Sequence, residues 1–195
     1  MLENAEGSSL DGENNETLEV ENGTSPFVAN LFWFLDLIGL FVVSVVLVQT
    51  FFYRSMHVEG KSMQNTFQPK DSLGVSDLFY EPKQFDVVII NTKELLGRTI
   101  IKRIIGLPGD TIRIENGDVF VNDVKLNEPY LKPGIKTFRN GFSEGIVPVP
   151  EGYFFALGDN RPGSSDSRNY GFFKLSKIVG KVCFRWWPLS KMRFF

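Results

Sequence analysis

The chain has 195 residues and a net charge of −2, with 43% hydrophobic and 23% charged residues. Without its acidic N-terminal segment and its apolar run, about 140 residues remain, which is enough for one domain with a hydrophobic core. The charge gives no basis for nucleic-acid binding, the single cysteine cannot form an internal disulfide, and the single histidine excludes a metal site with several histidine ligands.

The N-terminal quarter of the chain divides into an acidic and an apolar segment. Residues 1–25 are rich in Glu, Asn, Gly and Ser, which predicts a disordered acidic tail. The apolar run from Phe32 to Phe52 has the length that a helix needs to cross a bilayer, so we predict a transmembrane helix over residues 28–53. No basic region precedes this run, which distinguishes it from a cleavable signal sequence.

The rest of the chain has the pattern of a mostly β protein. An Asn-Gly pair between two alternating segments predicts a hairpin at 111–121, and four prolines among residues 122–150 indicate an irregular excursion. We predict one β domain from residues 54–110 and 151–195, with a small inserted hairpin subdomain at 111–150. The runs that predict strands lie at residues 85–90, 99–105, 111–115, 118–121, 153–157 and 178–185.

A serine and a lysine are the candidate reactive groups. Ser62 lies a few residues after the apolar run, and a serine hydroxyl becomes a nucleophile when a base takes its proton. Lys102 lies among isoleucines, where burial lowers the pKa of a lysine and lets it act as that base. His57, five residues before Ser62, is poorly placed as a triad base. The alternative is a solvated loop serine and an edge-strand lysine that reaches water.

A polar loop between Gly158 and Gly171 supplies further hydroxyls and carboxylates. Its Asn-Arg-Pro-Gly sequence forms a turn by itself, so ordinary loop chemistry is the alternative there. Strand alternation places Lys102 and Arg103 on opposite faces. Lys102 would then face the site, while Arg103 needs an anionic partner.

These stretches resemble, in order, the four sequence boxes of bacterial type I signal peptidases, the serine/lysine-dyad peptidase family S26. The match covers roughly residues 30–190, and its last two boxes are long enough to be specific. The matching residues are Gly60-Lys61-Ser62-Met63 with Thr66, Asp86-Val87-Val88, Lys102-Arg103 before Gly106–Asp110, and Gly158-Asp159-Asn160 with Ser164, Asp166-Ser167-Arg168 and Gly171.

The resemblance implies a serine endopeptidase with Ser62 as nucleophile and Lys102 as general base, and no metal or cofactor. The supporting residues that it implies are Asp159 as partner of Arg103, Ser164 as hydrogen-bond partner of Lys102, and Asp166 with Arg168 as an ion pair of the loop.

An oxyanion hole needs donors aimed at the developing charge, and the backbone N–H of Ser62 is the obvious one. Some family members add a serine hydroxyl two residues earlier, where this chain has Gly60, which offers only its backbone. Two further departures are Asn65 and Phe67, where the family usually has proline and leucine, and a third is Phe85, in place of a glycine.

Substrate would bind as an extended strand against an edge of the site. We expect apolar side chains to shape shallow pockets for small substrate residues. The residues predicted to line these pockets are Val58, Met63, Phe67, Ile100 and Ile101.

We therefore predict a membrane-bound endopeptidase that removes N-terminal signal peptides from exported preproteins. The alternative is a catalytically degenerate, membrane-anchored β domain that only binds signal peptides. A self-cleaving Ser/Lys regulator would need a DNA-binding module, and a β-lactamase would need Ser-x-x-Lys, which Ser62-Met-Gln-Asn65 lacks.

The distribution of charge and the family resemblance predict opposite orientations of the chain in the membrane. All 21 basic residues lie from Arg54 onward, which favours a cytoplasmic C-terminal side. The resemblance implies a single-pass protein of the bacterial cytoplasmic membrane with its catalytic domain on the outer face, and large domains are translocated largely regardless of charge. The implied partners are preprotein signal peptides and the lipid bilayer, with the export translocon as a further candidate and no nucleic acid.

Overall fold

The structure, a computed structural model, describes residues 25–52 and 54–195. Helix α1 (Pro26–Phe52) begins two residues before the predicted transmembrane segment and covers it as far as Phe52, and residue 53 lies outside the described residues. Its part from Pro26 to Val48 is long and apolar enough to cross a membrane. The predicted acidic tail lies outside the described residues, apart from Ser25.

Residues 54–195 form two antiparallel sheets, as expected for a mostly β protein. The strands are β1 (Arg54–His57), β2 (Ser72–Ser76), β3 (Val87–Thr92), β4 (Arg98–Gly106), β5 (Thr111–Glu115), β6 (Asp118–Val121), β7 (Val124–Lys125), β8 (Val147–Pro148), β9 (Tyr153–Leu157), β10 (Phe173–Lys174), β11 (Ile178–Trp187) and β12 (Arg193–Phe194). The large sheet has the order β1-β2-β11-β3-β4-β9-β10, and β12 pairs with β11.

The small sheet has the order β7-β6-β5-β8 and lies wholly within the predicted insertion. The predicted hairpin is confirmed, since β5 pairs antiparallel with β6 around the Asn-Gly pair. Asn116 and Gly117 have φ angles of 54° and 89°, as a two-residue hairpin turn requires. The boundaries of the insertion at residues 111 and 150 stay a prediction.

The central strands β3 and β4 are apolar on both faces because both faces are covered. On one face Val88 and Ile104 pack against Phe154, and on the other Ile89 packs with Met63 of the preceding loop. Burial on both faces explains why these strands read as continuous apolar runs.

The pairing of β4 with β9 brings the polar loop to the predicted lysine. Arg103 is directly opposite Leu157, the last residue of β9. The chain therefore leaves the sheet at Gly158 beside Lys102 and Arg103.

Three local features differ from the sequence prediction. Six of the described strands lie outside the predicted runs; they are β1, β2, β7, β8, β10 and β12. The strand expected from Phe85 begins at Val87, because Phe85 adopts a left-handed backbone with φ of 71°. The short helices α2 (Lys93–Leu96) and α3 (Ser167–Tyr170) were not predicted, since four residues are too few to show a helical period.

Candidate active site

Ser62 begins a tight turn that follows the segment after β1. The turn is closed by the N–H of Gln64, which donates to the carbonyl of Lys61 at 3.1 Å, and by that of Thr66, which donates to Met63 at 2.8 Å. The carbonyl of Ser62 accepts the N–H of Asn160 at 2.9 Å. The nucleophile candidate is thus held by its own turn and by the polar loop.

Lys102 reaches this turn from the middle of β4. Its Nζ lies 2.8 Å from the Oγ of Ser62 and 3.1 Å from the carbonyl oxygen of Ile101, and the residue is only 3% exposed. Burial is the main cause that lowers the pKa of Lys102 from 10.5 to about 8, since a low-dielectric environment disfavours the charged amine. A substantial share of the amine is therefore neutral near pH 8.

Arg103 points away from Lys102 and makes the predicted ion pair with Asp159. Its Nε and a terminal nitrogen bind the two carboxylate oxygens at 2.9 and 2.6 Å, and its other terminal nitrogen donates to the carbonyl of Phe85 at 2.8 Å. The hydroxyl of Thr66 donates to the same carboxylate. Lys102 and Arg103 thus have different partners, as strand alternation predicted.

The start of the polar loop holds the turn of Ser62 through its backbone and amides. The side chain of Asn65 donates to the carbonyl of Asp159 at 2.7 Å, and that of Asn160 donates to the carbonyl of Lys61 at 3.0 Å. Asn65, a departure from the family pattern, therefore takes part in this contact.

The predicted ion pair between Asp166 and Arg168 is also present, at 2.8 Å. Asp166 accepts the N–H of Gly158 at 3.0 Å. Burial opposes ionisation of Asp166, but its bonds to Arg168 and Gly158 outweigh that effect and lower its pKa. Arg168 also donates to the carbonyl of Arg161 at 2.8 Å. The two side chains tie together both ends of the loop.

Ser164 differs from its expected position in the network. Its hydroxyl is buried and lies close enough to Asp166 to help lower the pKa of that carboxyl, but it does not bind Lys102 in this structure. The side chain of Ser164 packs where a Cβ on Gly158 would lie, and the amine of Lys102 binds Ser62 and Ile101.

A groove of about 620 Å³ lies beside Ser62 and Lys102. Phe67 is not part of it, because its side chain is fully buried in the core, 4.7 Å from the ring of Phe195. The predicted pocket residues that do line the groove are Val58, Met63, Ile100 and Ile101, and Gly60 lines it as well.

The sequence prediction missed the buried contacts that Arg161 makes behind the polar loop. Arg161 is fully buried and binds Glu128 and Thr137 of the loop between β7 and β8. A turn-forming Asn-Arg-Pro-Gly sequence gives no signal of a buried arginine. No group of three or more His, Cys, Asp or Glu side chains that could hold a metal lies in the described part of the chain.

Comparison with known proteins decides the family. A family model described as "Signal peptidase, peptidase S26" matches residues 31–187. The chain belongs to this family. It is therefore a peptidase of family S26.

Two relatives that are similar in sequence agree with this assignment. A signal peptidase I from Bacillus caldolyticus is 40% identical over 78% of this chain and 90% of the relative. One from Streptococcus pneumoniae is 34% identical over 83% of this chain and 97% of the relative. A solved signal peptidase I from Enterococcus faecalis has a TM-score of 0.45 and 34% identity, over 53% of this chain and 97% of that chain.

The close packing at Gly158 gives a first prediction for this S26 peptidase. A Cβ at Gly158 would lie 2.6 Å from the carbonyl oxygen of Ser62 and would overlap Ser164, so Gly158→Ala must displace the turn or the loop. We expect Gly158→Ala to lower the melting temperature and to reduce kcat at least about tenfold, since small displacements of reacting groups are costly.

The matched control is Gly60→Ala, because a Cβ at Gly60 meets nothing within 4 Å. Its melting temperature, measured by circular dichroism, should equal that of the wild type. Equal stability and activity of Gly158→Ala and wild type would contradict the close contact.

Proposed function

We propose that this S26 peptidase is a membrane-bound endopeptidase that removes N-terminal signal peptides from exported preproteins with a Ser62/Lys102 dyad. The observation that carries the proposal is the 2.8 Å contact between the Oγ of Ser62 and the Nζ of Lys102, with the lysine buried. A hydroxyl within hydrogen-bonding reach of a base of lowered pKa is the arrangement that nucleophilic catalysis requires.

In the first half of the reaction Lys102 takes the proton of Ser62 as the Oγ attacks the scissile carbonyl carbon. The tetrahedral intermediate collapses, the C–N bond breaks, and the ammonium of Lys102 returns the proton to the leaving amine. In the second half Lys102 takes a proton from water as the water oxygen attacks the acyl ester. The ester C–O bond then breaks, the ammonium of Lys102 returns the proton to the Oγ of Ser62, and the signal peptide leaves with a new C-terminal carboxyl group.

The backbone N–H of Ser62 is the proposed donor to the oxyanion. Within residues 25–52 and 54–195 this N–H donates no hydrogen bond, so it is available to the developing charge. Gly60 adds no side-chain donor, although the space at its Cβ position is open. Stabilisation of the oxyanion by this chain then depends on backbone donors.

The substrate is proposed to bind along β4. This strand pairs with β3 from Arg98 to Arg103 but with β9 only from Arg103 onward. Residues 98–102 therefore have no strand partner on their other side among the described residues, and this free edge borders the groove. An extended peptide that pairs there would place its scissile bond beside Ser62, because the edge ends at Lys102.

The proposed location is the bacterial cytoplasmic membrane, with α1 as the single anchor and the catalytic domain on the outer face. The length and apolar composition of α1 support the anchor. The bilayer, signal peptides and the export translocon are the proposed partners. The relatives named signal peptidase I support the choice of substrate, and the alternative of a degenerate binding domain has no observation in its favour.

The decisive experiment is cleavage of a preprotein by the purified full-length protein in detergent. Wild type should produce the shortened product, whereas Ser62→Ala, which lacks the nucleophile, and Lys102→Met, which lacks the base, should not. We expect losses of about 10³-fold or more, in line with removal of a member of a catalytic unit.

A control variant on the small sheet, away from the dyad, is Lys125→Ala, which removes an exposed ion pair with Asp118 and should cleave at the wild-type rate. If wild type, Ser62→Ala and Lys102→Met all cleave at the same rate, the proposed Ser62/Lys102 dyad is wrong. If none of them cleaves but all bind a signal peptide, the binding-domain alternative is correct.

The lowered pKa of Lys102 gives a prediction for pH. The base acts in its neutral form, so kcat should rise with increasing pH through about 8, which is the pKa of Lys102 in the folded protein. This rise of kcat on the acid side of the pH profile, called the acid limb, is measured from rates of peptide cleavage between about pH 6 and 10. A rate that is constant from pH 6 to 8 would contradict a lysine base.

The hydroxyl of Ser164 allows stability and activity to be tested separately. It makes no well-formed hydrogen bond to the described residues and interacts with Asp166, so Ser164→Ala should change the free energy of unfolding by no more than about 1 kcal/mol. If Ser164 hydrogen-bonds Lys102 during the reaction, kcat of the same variant should fall about tenfold. Denaturant unfolding and kcat measured together test both parts, and unchanged kcat would remove Ser164 from the mechanism.

A further inference from the structure

A corner of the loop between β7 and β8 touches two arginines of the candidate site. The carboxylate of Glu128 binds both terminal nitrogens of Arg161 and accepts the hydroxyl of Tyr130 at 2.6 Å. The ring of Tyr130 lies under the guanidinium of Arg103, 4.0 Å from its central carbon. We call residues 128–130 the Glu-Pro-Tyr corner.

The first of these arginines lies behind the polar loop. Arg161 is fully buried, and Glu128 is its only carboxylate partner among the described residues. Its Nε donates to the carbonyl of Gly158 at 3.2 Å, and its own carbonyl accepts Arg168. The position of Arg161 therefore fixes the loop at Gly158, whose N–H is held by Asp166.

The second arginine lies next to the candidate base. Arg103 follows Lys102 on β4 and binds Asp159 through two hydrogen bonds. Asp159 and Asn160 in turn hold the turn of Ser62 through their backbone groups. Both arginines that contact the corner thus reach residues 158–160, the segment that contacts the nucleophile.

We propose that the Glu-Pro-Tyr corner is a positioning device for the reaction, in which Glu128 holds Arg161 and Tyr130 holds Arg103 so that residues 158–160 press the turn of Ser62 against Lys102. The inference rests on the proposed dyad. Neither Glu128 nor Tyr130 lines the groove, so both act through other residues and not on substrate.

The physical reason for the effect is that both arginines are buried and charged. A buried guanidinium needs a carboxylate or an aromatic face to offset its lost hydration. When Glu128 loses its charge, Arg161 must move toward water or recruit another acceptor, and Gly158 moves with it. A displacement of about 1 Å between Ser62 and Lys102 is enough to slow the reaction strongly.

The test compares full-length variants in detergent with an internally quenched peptide that contains a signal-peptide cleavage site. Glu128→Gln keeps the shape of the side chain and removes its charge. We expect kcat per folded molecule to fall about tenfold while KM stays within about twofold, because the groove itself is intact. Asp118→Asn, in the exposed ion pair with Lys125 of the small sheet, is the matched control and should leave both constants unchanged.

A second readout distinguishes positioning from loss of folded protein. A loosened loop admits water to Lys102, so the acid limb of kcat should move to higher pH in Glu128→Gln. Glu128→Asp, which restores the carboxylate, should move kcat and the limb back toward wild type. The charged groups that act on Lys102 are unchanged in these variants; they are Asp166, Arg98, Arg168 and Asp159.

A wild-type kcat for folded Glu128→Gln would overturn the proposal. The proposal is also overturned if the yield or the melting temperature falls while kcat per folded molecule and the acid limb stay unchanged. Glu128 would then have a structural role only. If Glu128→Gln does not fold, Tyr130→Phe removes the hydroxyl bound to Glu128 and keeps the ring, and it must show the same changes to a smaller degree or the proposal fails.

Failure of the dyad gives a different result. If Ser62→Ala still cleaves the peptide, the proposed function is wrong and the positioning inference fails with it. If Ser62→Ala is inactive and Glu128→Gln has wild-type kinetics, only the role of the corner is wrong.

Discussion

In the proposed dyad the amine of Lys102 must be removed from water, and the elements around it bury the residue almost completely. A lysine in water is charged at neutral pH and cannot take a proton. In this chain β4, the turn of Ser62 and the loop from Gly158 enclose the amine and lower its pKa to about 8. The enclosure has to be rigid, because a lysine side chain that can reach water regains its charge.

Rigidity comes from buried arginines rather than from apolar packing alone. Arg103, Arg161 and Arg168 each pair with a carboxylate and also donate to backbone carbonyls. Buried ion pairs add little net stability, because the loss of hydration offsets their attraction. Their geometry is specific, however, since a planar guanidinium fixes several acceptors at once. A site assembled from distant segments benefits from that specificity.

The local pattern of the sequence predicted six of the described strands, and the dyad of Ser62 and Lys102, which was inferred from residue chemistry and family resemblance, stays a proposal. Isoleucine-rich runs identify strands that are buried on both faces, and Lys102 lies within one of the two boxes that are long enough to be specific. The hydroxyl of Ser164 and the side chain of Phe67 were assigned to the wrong contacts, because the rotamer of Ser164 and the burial of Phe67 depend on tertiary packing. Glu128 was missed for the same reason, since its partner is 33 positions away in sequence.

The departures from the family pattern indicate which positions are set by backbone geometry. Phe85 keeps the left-handed backbone that glycine adopts freely, at a cost of about 1 kcal/mol, while its carbonyl still accepts Arg103 and its ring lies 6.0 Å from that of Tyr130. Asn65 replaces a proline and gains a hydrogen bond to Asp159. Gly158 allows no such exchange, because the space of its missing side chain is filled by Ser164 and the carbonyl of Ser62. The departures therefore occur where the backbone contacts are preserved, whereas Gly158 leaves no room for a side chain beside the turn of Ser62.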